Sequence, residues 1–96
     1  MKRLLIVGAG GHGRSVVEAA LASGEFVVIG FLDVAFPKLA QVWAIPVRGK
    51  VAEFAYFRDE ADFAIVAIGN NAIRRLVTSN LHGAGFPLAR VVHQRA

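Results

Sequence analysis

The stretch Gly8-Ala9-Gly10-Gly11-His12-Gly13 limits what this chain can fold into more than any other feature. It satisfies G-x-G-x-x-G directly after Arg3 to Val7, a short β-branched and leucine-rich run that reads as a buried strand. From Ser15 to Ser23 the apolar residues Val16, Val17, Ala20 and Leu21 recur at helical spacing, and Gly24 suits a left-handed helix cap. A glycine-rich turn in that position allows a tight bend, close packing of helix on strand, and approach of a ligand phosphate to the backbone. The free amides and positive end of the helix then attract an anion.

The second apolar run, Phe26 to Leu32, ends at Asp33, so strand, helix and strand imply a right-handed parallel crossover. Asp62 to Ile68 reads as a third long strand ending at Gly69, followed by a helix with Ile73, Leu76, Val77 and Leu81 on its inner face. Between these lie weaker signals. Val34 to Ile45 has no clear period and reads as loop, Pro46 to Gly49 as a short edge strand, and Val51 to Phe57 as a short helix with Val51, Phe54 and Ala55 inward. Leu88 to Val92 reads as a last strand. Ninety-six residues, 55% of them hydrophobic, support one packed core. The fold class is therefore α/β, a single small domain with a Rossmann-like parallel sheet flanked by helices.

Composition excludes several functions. The chain has no cysteine, so disulfides and thiolate metal sites are ruled out, and His12, His82 and His93 lack metal-ligand spacing. No metal site is expected. The apolar runs are too short to span a membrane, and the glycine cluster arrives too early for a secretory signal, which points to the cytoplasm and to no membrane partner. The net charge of +4 is spread along the chain without a basic stripe, so no nucleic-acid partner is expected.

Asp33, twenty residues after Gly13, stands where an acidic side chain accepts hydrogen bonds from a ribose or base, or else caps a turn. Gly69-Asn70-Asn71 should lie beside the glycine loop on the same carboxyl edge of the sheet, with either asparagine alternatively a helix cap. Arg14 is in reach of a phosphate or is solvated at the helix start, and Trp43 and Tyr56 read as packing residues. The residues alone fit a site for a phosphate-bearing nucleotide, and leave open the NAD-binding domain of an oxidoreductase and a non-catalytic nucleotide-sensing domain.

Three stretches taken together narrow the choice: Ile6 to Arg14, Gly30-Phe31-Leu32-Asp33, and Ala67-Ile68-Gly69-Asn70-Asn71 with Arg74. They resemble the amino-terminal domain of bacterial sugar acetyltransferases of the sialic-acid O-acetyltransferase and PglD type. The resemblance implies that residues 1–96 bind a nucleotide-sugar, usually UDP-linked, through Gly10, Gly11, His12, Asp33, Gly69, Asn70 and Asn71, with Gly8 and Gly13 shaping the phosphate loop. It also implies a left-handed β-helix after residue 96, absent from this sequence, that carries the catalytic residues and the acetyl-CoA site and forms a homotrimer. On that expectation no catalytic residue lies in this chain and no cofactor binds it. Val34 stands where the family commonly has a second aspartate, and Gln94 where a proline is usual.

Overall fold

The computed structural model describes residues 1–89. Five strands form one sheet: β1 (Lys2–Val7), β2 (Phe26–Leu32), β3 (Gln41–Val42), β4 (Ile45–Gly49) and β5 (Phe63–Val66), in the order β3-β4-β2-β1-β5. Two helices, α1 (Gly11–Ser23) and α2 (Asn71–Gly83), and a 3₁₀ helix (Val51–Phe57) connect them. β1 pairs in parallel with β2 on one side and β5 on the other, β2 pairs in parallel with β4, and only β3 runs antiparallel. The chain is an α/β domain with a Rossmann-like, mostly parallel sheet.

β1 shows why the strands read as unbroken apolar runs. Its residues Leu4 and Ile6 face one core with Val17 and Ala20 of α1, while Leu5 and Val7 face a second with Val77 and Leu81 of α2. All four strand residues are fully buried. Alternation sends successive side chains to opposite faces, and because helices cover both faces, both sets must be apolar.

Several elements depart from the sequence reading. α1 begins at Gly11 rather than Ser15, so Gly11, His12 and Gly13 form its first turn. Its buried stripe runs through Gly13, Val17, Ala19 and Ala20, which leaves Leu21 65% exposed beyond the margin. β4 is not the edge strand, because β3 folds back beside it through Trp43 and Ala44, both at positive φ. The helix read over 51–57 is a 3₁₀ helix with three residues per turn, so Val51, Phe54 and Phe57 turn inward and Ala55 is exposed. The third long strand is shorter than read, Phe63–Val66. On α2 only Val77 and Leu81 are buried, and Ile73 and Leu76 are half or more exposed. Of the last expected strand, Leu88 makes a parallel bridge to Ala64, and residues 90–96 lie outside the described residues.

Candidate functional site

The strand order decides where a ligand can sit. β1 lies between β2 and β5, and the chain leaves β1 for α1 and β2 on one side before returning to β5 on the other. At such a switch point the loops after neighbouring strands diverge and leave a crevice at the carboxyl edge. The glycine loop after β1 therefore has the end of β2, with Asp33, on one flank and the end of β5, with Gly69, on the other.

Two glycines of the loop are required by the backbone. Gly8 has φ of +111°, and a Cβ there would lie 2.6 Å from the Ala67 carbonyl oxygen. Gly13 is buried in the first turn of α1, where a Cβ would collide with the carbonyl oxygen of Gly8. Gly10 and Gly11 are different: nothing lies within 4 Å of a Cβ built on either. Their faces open to solvent. No side chain caps α1 at Gly10, and no acidic residue stands in its first turn. The first intrahelical bond at this end is from the Arg14 amide to the Gly10 carbonyl, 3.1 Å, so the amides of Gly11, His12 and Gly13 precede the helical ladder. Such donors, with the positive end of the helix dipole, are what a helix start offers a phosphate.

The flanking residues take distinct places. His12 is exposed and its ring reaches across to the β5 loop, its Nε2 3.6 Å from where a Cβ of Gly69 would stand. Asp33 is half-buried, and its Oδ2 accepts from the Ala9 amide at 2.9 Å while Oδ1 accepts from the Ala35 amide at 2.9 Å. Asn70 is the N-cap of α2, its Oδ1 accepting from the Ile73 amide at 3.0 Å, and Asn71 Oδ1 accepts from Arg74. The structure thus gathers Gly10, Gly11, His12, Asp33 and Gly69 at one edge. Asn70 takes the capping role that the sequence left open.

Two readings of aromatic residues are corrected. Trp43 is 54% exposed rather than packed, with the Arg14 guanidinium 5.9 Å from its ring centroid, and Tyr56 is 79% exposed. The pairing of Arg14 with Trp43 has no short-range sequence signal, since the residues belong to separate elements. The bonds that Asp33 makes were half legible, because an aspartate that accepts from the amide two residues on is a common turn device. A hollow of about 750 Å³ between α2 and β5, lined by Arg74, Arg75, Thr78, His82 and Leu88, contains no glycine-loop residue. It lies on the flank of the sheet, away from the glycine loop. Among the described residues no cluster of His, Asp and Glu could hold a metal ion, and no helix is long and apolar enough to cross a membrane.

Comparison with known proteins agrees with this layout. The chain is similar to the acetyltransferase domain of PglB from Neisseria gonorrhoeae, solved with acetyl coenzyme A, at 38% identity and a TM-score of 0.84 over 97% of this chain and 44% of that one. It is similar to PerB from Caulobacter crescentus, solved with CoA and GDP-perosamine, at 28% identity and a TM-score of 0.84 over 98% of this chain and 44% of that one. An engineered D-amino acid dehydrogenase bound to NADP+ matches less well, at 25% identity and a TM-score of 0.59 over 71% of this chain and 20% of that one. The chain spans less than half the length of the two acetyltransferases. A comparison with curated protein sequences returns no match. A family model described as the PglD N-terminal domain matches residues 3–81, which takes in the glycine loop, Asp33 and the Gly69-Asn70-Asn71 turn, and the chain belongs to that family.

Proposed function

We propose that residues 1–96 are the nucleotide-sugar-binding domain of an acetyl-CoA-dependent sugar N- or O-acetyltransferase. The observation that carries this reading is the uncapped start of α1, with Gly10 and Gly11 open to solvent at the sheet's switch point. In this arrangement the diphosphate rests on the first-turn amides, between the carboxyl ends of β2 and β5. Gly10, Gly11 and His12 line its path, Gly69 closes the β5 side, and Asn70 and Asn71 shape the turn behind it. Asp33 bounds the nucleoside side. The similarity to PerB, solved with GDP-perosamine, and to the PglB acetyltransferase domain supports a nucleotide-linked sugar as the ligand. A UDP-linked amino-sugar is the first candidate, with a GDP-linked one as its competitor.

In the whole protein, a left-handed β-helix following residue 96 supplies the acetyl-CoA site and the catalytic residues and assembles the trimer, in the cytoplasm and without membrane or nucleic-acid partners. The acetyl group passes from acetyl-CoA to an amine or hydroxyl of the sugar. Calorimetry with UDP, UDP-amino-sugars, GDP-sugars and NAD tests the binding assignment. Tighter binding of NAD than of any sugar nucleotide would move the domain to the oxidoreductase reading. Incubation with acetyl-CoA and UDP-amino-sugars, followed by free thiol release, should show binding without turnover. Turnover lost in His12→Ala would make these residues an enzyme in their own right.

A further inference from the structure

Asp33 carries an unusual share of the hydrogen bonds around the crevice. Its amide donates to the Gly49 carbonyl at the end of β4 at 3.0 Å, and its own carbonyl accepts from the Phe36 amide at 3.1 Å. Its carboxylate spans two loops, one oxygen on the Ala35 amide and the other on the Ala9 amide. One residue earlier, the Leu32 carbonyl accepts from the Gly8 amide at 2.7 Å, so the last residue of β2 and the one after it hold two successive residues of the glycine loop. In the dinucleotide fingerprint the acidic residue at this point reads a ribose hydroxyl. Here both carboxylate oxygens already serve backbone amides.

We propose that Asp33 is a positioning residue, whose carboxylate latches Ala9 to the end of β2 and so aims the amides of Gly11 to Gly13 at the phosphate, rather than a reader of the ribose or base. This rests on the nucleotide reading above. A hydrogen bond to an ionised acceptor is stronger than a neutral one, and half-burial shields it from competing water. The latch also assigns the donors. The Ala9 amide is spent on Asp33, and the carboxylate's charge repels an anion from that side, so the phosphate belongs at the helix start. An isolated glycine turn would lose conformational entropy on binding that the latch has already removed.

The test uses Asp33→Asn and Asp33→Ala, with UDP, 2′-deoxy-UDP and pyrophosphate as probes and amide NMR as an independent readout. Asp33→Asn keeps one side-chain oxygen, enough for only one of the two amides, and Asp33→Ala keeps none. In Asp33→Asn one of the Ala9 and Ala35 amide protons should move upfield, and in Asp33→Ala both should move. Affinity for all three probes should fall by a similar factor, about tenfold for loss of one charge-assisted bond. Unchanged affinity, or a loss confined to UDP with 2′-deoxy-UDP and pyrophosphate spared, would overturn the proposal. So would an Ala9 resonance that does not move in Asp33→Ala. If the unsubstituted protein binds none of the probes, the nucleotide reading fails, and the Ala9 signal decides the latch alone.

Discussion

The two helices that start at the carboxyl edge of the sheet begin in opposite ways. α2 caps its own start: Asn70 accepts from the Ile73 amide, and the Asn71 side chain engages the Arg74 side chain. α1 begins at Gly10 with no side-chain cap, no acid in its first turn and open space at Gly10 and Gly11. A helix with a side chain already on one of its first amides gains less from an anion than one with no cap, which gains a partner it otherwise finds only in water. Both follow a strand and a glycine, so the difference lies in the residue at the cap: a side chain that can fold back, or none.

Substitutions can break this contrast. The largest effect is expected at Gly8→Val, where a side chain would meet the Ala67 carbonyl at a positive φ. Unfolding stability should fall by about 4 kcal/mol, read as a drop in denaturant midpoint, with binding lost because the fold is lost. Gly10→Val should do the reverse, because φ there is −81° and the space is open. Its cost to folding should be about 1 kcal/mol as a poorer cap, while nucleotide affinity falls about a hundredfold as the branched side chain fills the phosphate's path. If its melt collapses along with its binding, Gly10 serves the turn and the contrast between the helix starts is void.

Asn70→Ala sharpens the comparison from the other side. Removing the cap should cost about 1 kcal/mol of stability with nucleotide affinity nearly unchanged, since the Asn70 oxygen is committed to Ile73. Calorimetry on the folded variant checks this, and a large affinity loss would place Asn70 on the ligand. The smallest effect is expected at the opposite edge, where Arg3 and Asp62 pair at 3.0 Å in exposed positions. Hydrogen bonds from the Arg3 side chain and amide hold the Asp62 carboxyl down at about 2, from an ordinary value of 3.8. A carboxyl depressed on folding stabilises above its unfolded pKa, and that contribution is lost as pH falls from about 4 towards 2. Asp62→Asn should flatten the melting temperature over that window and leave nucleotide binding alone. Exposure keeps the effect small.

How far the sequence reveals this molecule depends on whether a signal is periodic, local or long-range. β1, α1, β2, β5 and α2 are legible because burial on both faces writes apolar runs and a helical period directly into the chain. The 3₁₀ helix misleads, because Val51, Phe54 and Phe57 at every third residue resemble one side of an α-helix until its turn is tightened. The β3-β4 turn is hidden for a different reason. Turns with two successive left-handed residues normally carry Asn-Gly, and here Trp43 and Ala44 occupy them. At the candidate site, Gly8 and Gly13 announce the bend, yet the partners of Asp33 depend on strand order, which places Ala9 beside a residue 24 positions away.

The cation–π approach of Arg14 to Trp43 gives the molecule an optical consequence. Trp43 is its only tryptophan, and the guanidinium above its indole is rooted in the first turn of α1. The tryptophan fluorescence of the chain therefore arises next to the helix start proposed to hold the diphosphate. A phosphate that draws Arg14 off the ring would alter the emission in step with occupancy, giving a label-free titration signal that Trp43→Phe abolishes.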